Sequence, residues 1–437
     1  MRKNLFKKVL ALTLASTMAF SMAGCGSKGG SSDAKNDDGT ITLNVWHQWS
    51  NDTNELKGKY EEAVKAYEKE NPGVKIKTET LDTEAYKTKI NAEFAGDAKG
   101  IDVFYWWGAG TAKKLVDAGK VMALDDYVTD DVKSKILEGS TSAFEFDGKL
   151  YSVPMFSWYM TLFCNKTMFD KAGATLPTTY DELVDAVKKL KKLDGVTPMA
   201  AGAKDGWNAA FVYQALALRE VGATGVNEML SGKKEFEDEG FKKAAQKVSD
   251  LYEMGAFGDN PLEQGNDDAN AAFENGKAAM RLMGSWFANN VYTDDAATVK
   301  PEEVVALKIP TIADGKGEAT DYCGGFVESF WVNNNTKYKE EAAKFCIYIN
   351  EKMGVASYET GSGFSGWTTP ADESNLNPLF IQIKDLLAEG KQGVLAWDTS
   401  LESEPAAVHN EQVQTLFADG ADIDAFIDEH KAAINGK

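Results

Sequence analysis

Ten tryptophans lie in this chain, and their placement says more than their number. Trp46, Trp49, Trp106, Trp107 and Trp286 stand at or just beyond the C-terminal ends of segments that read as strands. Open α/β sheets bind their ligands at that edge. Trp158, Trp207, Trp331, Trp367 and Trp397 are placed less clearly, although Trp207 and Trp367 sit in Gly-rich stretches that read as loops. A core tryptophan normally occupies an apolar periodic run, whereas several of these have Gly, Ser, Asn and Asp as neighbours. Gln48, Asp52, Asn208, Glu328 and Asp398 supply polar side chains close by. The chemistry open to such a set is non-covalent. A large rigid ring packs on an apolar face and carries one N–H donor, and carboxylates or amides bond the polar edge, most strongly where charge assists. A pyranose has both features, a C–H face and a rim of hydroxyls. Each Trp alone is equally well explained by core packing, but the set together points to a ligand cleft.

Signals for bond-breaking chemistry are thin. Glycoside hydrolysis needs two facing carboxylates, and with 67 acidic residues candidate pairs are too many to inform. His47, His409 and His430 are the only histidines and lack metal-ligand spacing, so solvated or hydrogen-bonded roles are expected and no metal site is assigned. Gly361-Ser-Gly-Phe-Ser-Gly366 formally matches G-x-G-x-x-G, but it follows a predicted helix instead of opening one, which argues against a dinucleotide site. No Walker A sequence is present.

The elements that must position these residues alternate. Ile41, Leu43 and Val45 form a strand ending at Trp46, and Asp52 and Glu55 have capping-box spacing. Leu56, Tyr60, Ala63, Val64 and Tyr67 make one helical stripe, stopped by Asn71-Pro72-Gly73. Val74, Ile76, Thr78 and Thr80 follow as a second strand, giving a βαβ unit with parallel strands and a right-handed crossover. Further strands are predicted at 101–105, 153–164, 278–283, 304–309 and 324–332, with helices opening at the Thr179/Glu182 capping box and spanning 337–349. The C-terminal third reads as helical, and the fold class is α/β with two lobes.

The first residues carry an address. Arg2, Lys3, Lys7 and Lys8 precede an apolar run from Val9 to Phe20, and Met22-Ala23-Gly24-Cys25 closes it with small residues. That is the layout of a secretory signal over 1–24, with a run too short to span a bilayer. A cysteine after Ala-Gly resembles the bacterial lipobox, with Met22 in place of the usual Leu, so Cys25 is the expected lipidated N-terminus. Residues 25–39 lack large apolar side chains and should form a flexible tether reaching about 20 Å. Two acyl chains suffice for stable anchoring. The expected location is the outer face of a Gram-positive-type membrane, with a periplasmic lipoprotein as the other option.

The 437 residues are too many for one core and suit two domains. The net charge of −20 becomes more acidic once the basic leader is removed, and it repels phosphate backbones, which excludes nucleic acid as a partner. Cys164, Cys323 and Cys346 sit in apolar contexts and form no disulfide framework, although one bridge plus a free thiol fits the count.

Short segments spread over the chain add a resemblance. They are Ile41-Thr-Leu-Asn-Val-Trp46, Tyr67-Glu-Lys-Glu-Asn-Pro-Gly73, Asp102-Val-Phe-Tyr-Trp106 and Gly148-Lys-Leu-Tyr-Ser-Val-Pro154 with Asn165-Lys166. Phe273-Glu-Asn-Gly-Lys-Ala-Ala-Met280, Gly284-Ser-Trp286 and Glu340-Glu-Ala-Ala-Lys-Phe345 complete the series. In this order and spacing the chain resembles the extracellular carbohydrate-binding proteins of ABC importers, the maltose-binding-protein-like family. The resemblance implies a two-lobed periplasmic-binding-protein-like fold with a hinge and an interlobe ligand cleft. One lobe would comprise 40–154 and about 324–360, the other about 155–323 and 361–437. It places Trp106 and Trp286 at stacking positions in opposite lobes, and Trp46, Gln48, Trp49 and Asp52 in the first binding loop. Trp158 falls near the first crossover, where the family often has a polar contact, and Trp367 matches a loosely defined loop. The second crossover would lie near Cys323 to Phe326, with Gly324-Gly325 absorbing the hinge change.

The resulting expectation is a monomeric carrier without enzymatic activity or cofactor. It would deliver a carbohydrate, with the Trp count favouring an oligosaccharide, to permease subunits served by a separate ATPase. The ligand-binding set is Trp46, Gln48, Trp49, Asp52, Trp106, Trp107, Trp158, Trp207, Trp286, Glu328, Trp367 and Asp398. A carrier for another solute, such as a polyamine or peptide, and an exported glycoside hydrolase are the alternatives.

Overall fold

In the computed structural model, which describes residues 39–51, 54–293 and 297–436, β1 (Ile41–His47) and β2 (Val74–Thr80) pair in parallel, with Ile41 opposite Val74. The helix Glu55–Glu70 joins them and buries Leu56, Tyr60, Ala63 and Tyr67, the stripe read from sequence less the half-buried Val64. Its cap differs from the expected one. Asn54 accepts from the Leu56 amide at 3.0 Å, and Asp52 lies outside the described residues. An Asx side chain directly before the first helical residue satisfies the orphan amides without help from further upstream.

The remaining strands are β3 (Val103–Trp107), β4 (Glu145–Phe146), β5 (Lys149–Leu150), β6 (Phe156–Asn165), β7 (Thr197–Ala200) and β8 (Ala278–Gly284). After them come β9 (Val304–Leu307), β10 (Asp321–Val332), β11 (Phe364–Ser365) and β12 (Gln392–Val394). The main path runs β2-β1-β3-β10-β6-β8-β7, with β9 and β11 on β6 and β12 on β10. β1 and β3 are parallel, as are β7 and β8, whereas β10 and β6 run antiparallel to their neighbours on this path.

That reversal marks the crossing between lobes. Two separate apolar cores flank it. Along β10, Cys323 and Val327 belong to one core, while Phe330, Trp331 and Val332 belong to the other. Along β6, Phe156 packs in the first-lobe core and Trp158 to Cys164 in the second. The strands touch closely where they cross. A Cβ on Gly324 (φ 136°) would lie 2.0 Å from the Trp158 carbonyl oxygen, so only glycine fits there.

Several expectations need correction. The segment after Gly206 is the first turn of a helix that begins at Gly206 and is kinked at Gly222 (φ 80°), not a loop, so Trp207 is helical. The helix predicted over 337–349 runs Lys339–Glu359. Trp367 packs in the first-lobe core, because Ile136 pairs with it across a single bridge, although 361–437 was assigned to the second lobe. Cys164, Cys323 and Cys346 are all free and buried, and burial pushes their thiols up, Cys323 to about 12. The signal segment and Cys25 lie outside the described residues.

Candidate functional site

A cleft of about 940 Å³ opens where β3 and β8 end and β6 begins, and is lined from both lobes. The first lobe contributes Trp49, Trp106 and Trp107, set at the end of β3 and in the loop after β1. Trp106 and Trp107 meet edge to face at 5.4 Å, and Trp49 packs against Tyr105 at 5.6 Å. The second lobe contributes Trp158, Trp207, Phe211 and Trp286. Trp158 stacks on Phe211 at 5.4 Å and meets Trp286 edge-on at 5.1 Å, and Trp207 stands edge-on to Phe211 at 5.3 Å. Offset and edge contacts of this kind fix ring orientation. Two aromatic walls therefore face one space.

Polar atoms sit among the rings. Gln48 Oε1, Trp207 Nε1, Glu328 Oε2 and Asn410 Oδ1 line the cleft, and each is buried without a protein hydrogen-bond partner among the described residues. Buried polar atoms without partners are costly, and four facing one cleft are what a ligand rich in hydroxyls would satisfy. Glu328 lies at the bulge where β10 leaves β6. Burial raises its carboxyl to about 8, although the Trp107 side chain bonds it and opposes the shift. Asp398 also lines the cleft, and burial raises its carboxyl against the opposing charge of Lys87.

Sequence reasoning missed a polar stripe. Thr83, Lys87 and Asn91 line the cleft at four-residue spacing on the helix Thr83–Ala95, whose adjoining face buries Tyr86, Ile90 and Phe94. The Lys87 ammonium lies 5.2 Å from the Trp107 ring and 5.6 Å from the Trp207 ring, so one cation touches an aromatic from each lobe. A second stripe, Asn266, Asn270 and Glu274, comes from the helix Asn266–Glu274.

The structure brings Gln48, Trp49, Trp106, Trp107, Trp158, Trp207, Trp286, Glu328 and Asp398 together around the cleft. Trp46 and Trp367 do not line it. Trp46 is buried on β1 with the Lys89 ammonium 4.9 Å above its ring, because strand alternation turns it toward the helix Thr83–Ala95. Trp367 donates from Nε1 to the Pro154 carbonyl at 2.7 Å and is core. Asn208 lies beneath the floor and bonds Arg281. Asp52 lies outside the described residues. The three histidines are buried and hydrogen-bonded and none lines the cleft, so of the two roles expected for them the hydrogen-bonded one holds and the solvated one does not. No group of three potential metal-ligating side chains occurs among the described residues.

Residues 50–355 match the model of the bacterial extracellular solute-binding protein family. The multiple sugar-binding protein of Streptococcus mutans is 24% identical over 369 residues, which covers 81% of this chain and 80% of that one. A solved structure described in connection with xylan utilization by the thermophilic bacterium Caldanaerobius polysaccharolyticus is 36% identical. It covers 90% of this chain and 100% of its own, with a TM-score of 0.86. A chitin oligosaccharide binding protein superposes with a TM-score of 0.81 at 22% identity over 91% of this chain and 98% of that one, which speaks to the two-lobed fold. The match over most of the chain, together with two cores joined by crossing strands around one cleft, places this chain in the bacterial extracellular solute-binding protein family.

Proposed function

We propose that this chain captures an oligosaccharide between its lobes and delivers it, unchanged, to the permease subunits of an ABC importer. The observation that carries this reading is the pair of facing aromatic walls, Trp49, Trp106 and Trp107 on one side and Trp158, Trp207 and Trp286 on the other. A single sugar ring needs one or two such platforms. Six, in a volume near the upper end of the roughly 300–1,000 Å³ of ligand pockets, suit several units. The unpartnered oxygens of Gln48 and Glu328 and the Trp207 N–H would take the hydroxyls.

The relatives support the same reading, one being named for multiple sugars and another concerned with xylan utilization. Xylo-oligosaccharides therefore head the panel to be tried. Lys87 speaks against the polyamine alternative, since an ammonium of the protein already lies beside Trp107 and Trp207. The ligand would touch both lobes only when they close and would stabilise that state by differential contacts. The lobe boundaries near the β6 and β10 crossings belong to this proposal, as does a monomeric chain. So do cleavage after Gly24 and lipidation of Cys25, which mass analysis of the mature N-terminus checks directly.

Calorimetric titration of the chain with xylo-, chito- and malto-oligosaccharides and with diamines tests the function, followed by chromatography of the recovered sugar. Saturable binding of one sugar class, recovered intact, is expected. Cleavage of the sugar, or binding of diamines alone, would overturn the proposal.

A further inference from the structure

Beneath the second-lobe wall, Arg281 of β8 is buried, with 1% of its surface exposed. A guanidinium carries five N–H donors and no acceptor. Here Nε donates to Asn270 Oδ1 (3.1 Å), and Nη1 donates to the carbonyls of Ala200 and Ala201 (3.2 Å each). Nη2 donates to Asn208 Oδ1 (2.8 Å) and Asn266 Oδ1 (3.1 Å). Five neutral oxygens satisfy this cation, and no carboxylate contacts it within ion-pair distance among the described residues. Burial pulls its guanidinium down to about 9, while Asp205, Glu274 and Asp267 oppose that from further away.

The donor-only chemistry of Arg281 decides which way each amide faces. An amide whose oxygen is held by a guanidinium must turn its NH₂ elsewhere. Asn208 gives its NH₂ to Asn266 Oδ1 (3.3 Å), and Asn266 gives its own to Asp267 Oδ1 (3.0 Å). Asn270 lines the cleft, and its Nδ2 has no protein acceptor among the described residues. The cation behind the amide oxygen also polarises the N–H in front, since bonds in a buried chain strengthen one another.

We infer that Arg281 is a positioning residue for ligand binding, which locks Asn270 so that its NH₂ points into the cleft as a donor to an acceptor oxygen of the bound saccharide. This sets a second-lobe donor beside the Gln48 and Glu328 oxygens that also line the cleft. The inference rests on the reading of the cleft as a saccharide site.

The test is Asn270→Asp, a near-isosteric change that replaces the exposed NH₂ with an acceptor and sets a carboxylate against Arg281. The expected result is a thermal midpoint at or above that of the wild type, together with affinity weaker by roughly 10- to 100-fold for the saccharide that the wild type binds. A merely structural amide would not separate the two readouts in that direction. Unchanged affinity in N270D would overturn the inference alone. A variant that unfolds or melts lower would also overturn it, because a carboxylate beside this guanidinium should be welcome. A wild type that binds no saccharide from the panel overturns both this inference and the reading beneath it.

Discussion

The Trp286 ring lies so close over Gly284 that a Cβ on that glycine would stand 2.0 Å from it. β8 ends at this glycine, the chain turns through Ser285, and the ring folds back over the strand end to meet Trp158. A cleft wall is thus fixed by the absence of one methyl group.

Gly284→Ala should therefore displace the ring. Overpacking of this kind costs about 1–3 kcal/mol, and the affinity for oligosaccharide should fall at least about tenfold with it. Trp286→Ala should lose affinity to a similar extent with a smaller change in thermal midpoint. Calorimetry and thermal melts on both variants check the pair.

Trp367 serves as the contrast. Its ring is core and its N–H is committed to Pro154. Trp367→Phe should lower stability by about 1–3 kcal/mol and leave affinity within about twofold of the wild type. A denaturant melt beside the same titration separates the two effects.

Glu328 gives stability a falling limb between pH 4.5 and 8. Its carboxyl titrates at about 8 in the fold and near 4.5 when exposed. The stability belonging to its neutral form is fully present below pH 4.5 and is lost as pH rises through 8. Over that window the loss is on the order of 1 kcal/mol per pH unit. Glu328→Gln should flatten the decline between pH 6.5 and 8, measured as the unfolding free energy at several pH values.

The histidines give a limb of opposite sign in acid. His430 Nδ1 donates to the Phe426 carbonyl at 2.8 Å, so its Nε2 must accept from His409 Nδ1 at 2.9 Å. His409 Nε2 then accepts from the Gln214 amide at 3.0 Å, and both rings are neutral. Burial lowers His430 to about 4 and His47 to about 3, and holds His409 well below its ordinary value. The unfolded chain binds these protons near pH 6.5, so stability is present above 6.5 and is lost as pH falls toward 4. With three histidines against one glutamate, stability should peak near pH 6.5. His430→Gln should reduce the acid slope.

The sequence made much of this legible wherever one local rule decided the outcome. Trp106, Trp107 and Trp286 were found because strand ends place them, and the Thr179/Glu182 capping box formed as its spacing required. Trp46 was misassigned because it still lies within β1, which ends at His47, whereas Gln48 and Trp49 lie past the strand end. Trp367 misled because Gly-rich neighbours suggest exposure, while its partner, Pro154, is distant in sequence. Arg281 was beyond reach, since its five acceptors come from three separate segments and only the fold unites them. Thr83, Lys87 and Asn91 were readable as a polar stripe, but such a stripe looks the same whether it faces water or a cleft.

The central claim is that both lobes hold one ligand. Intrinsic tryptophan fluorescence, titrated with the bound oligosaccharide in wild type, Trp106→Ala and Trp286→Ala, tests it most directly. A saturable change in the wild type that shifts to at least about tenfold higher sugar concentration in each variant is expected. A response that weakens in only one of the two, or in neither, would contradict a ligand held between two walls.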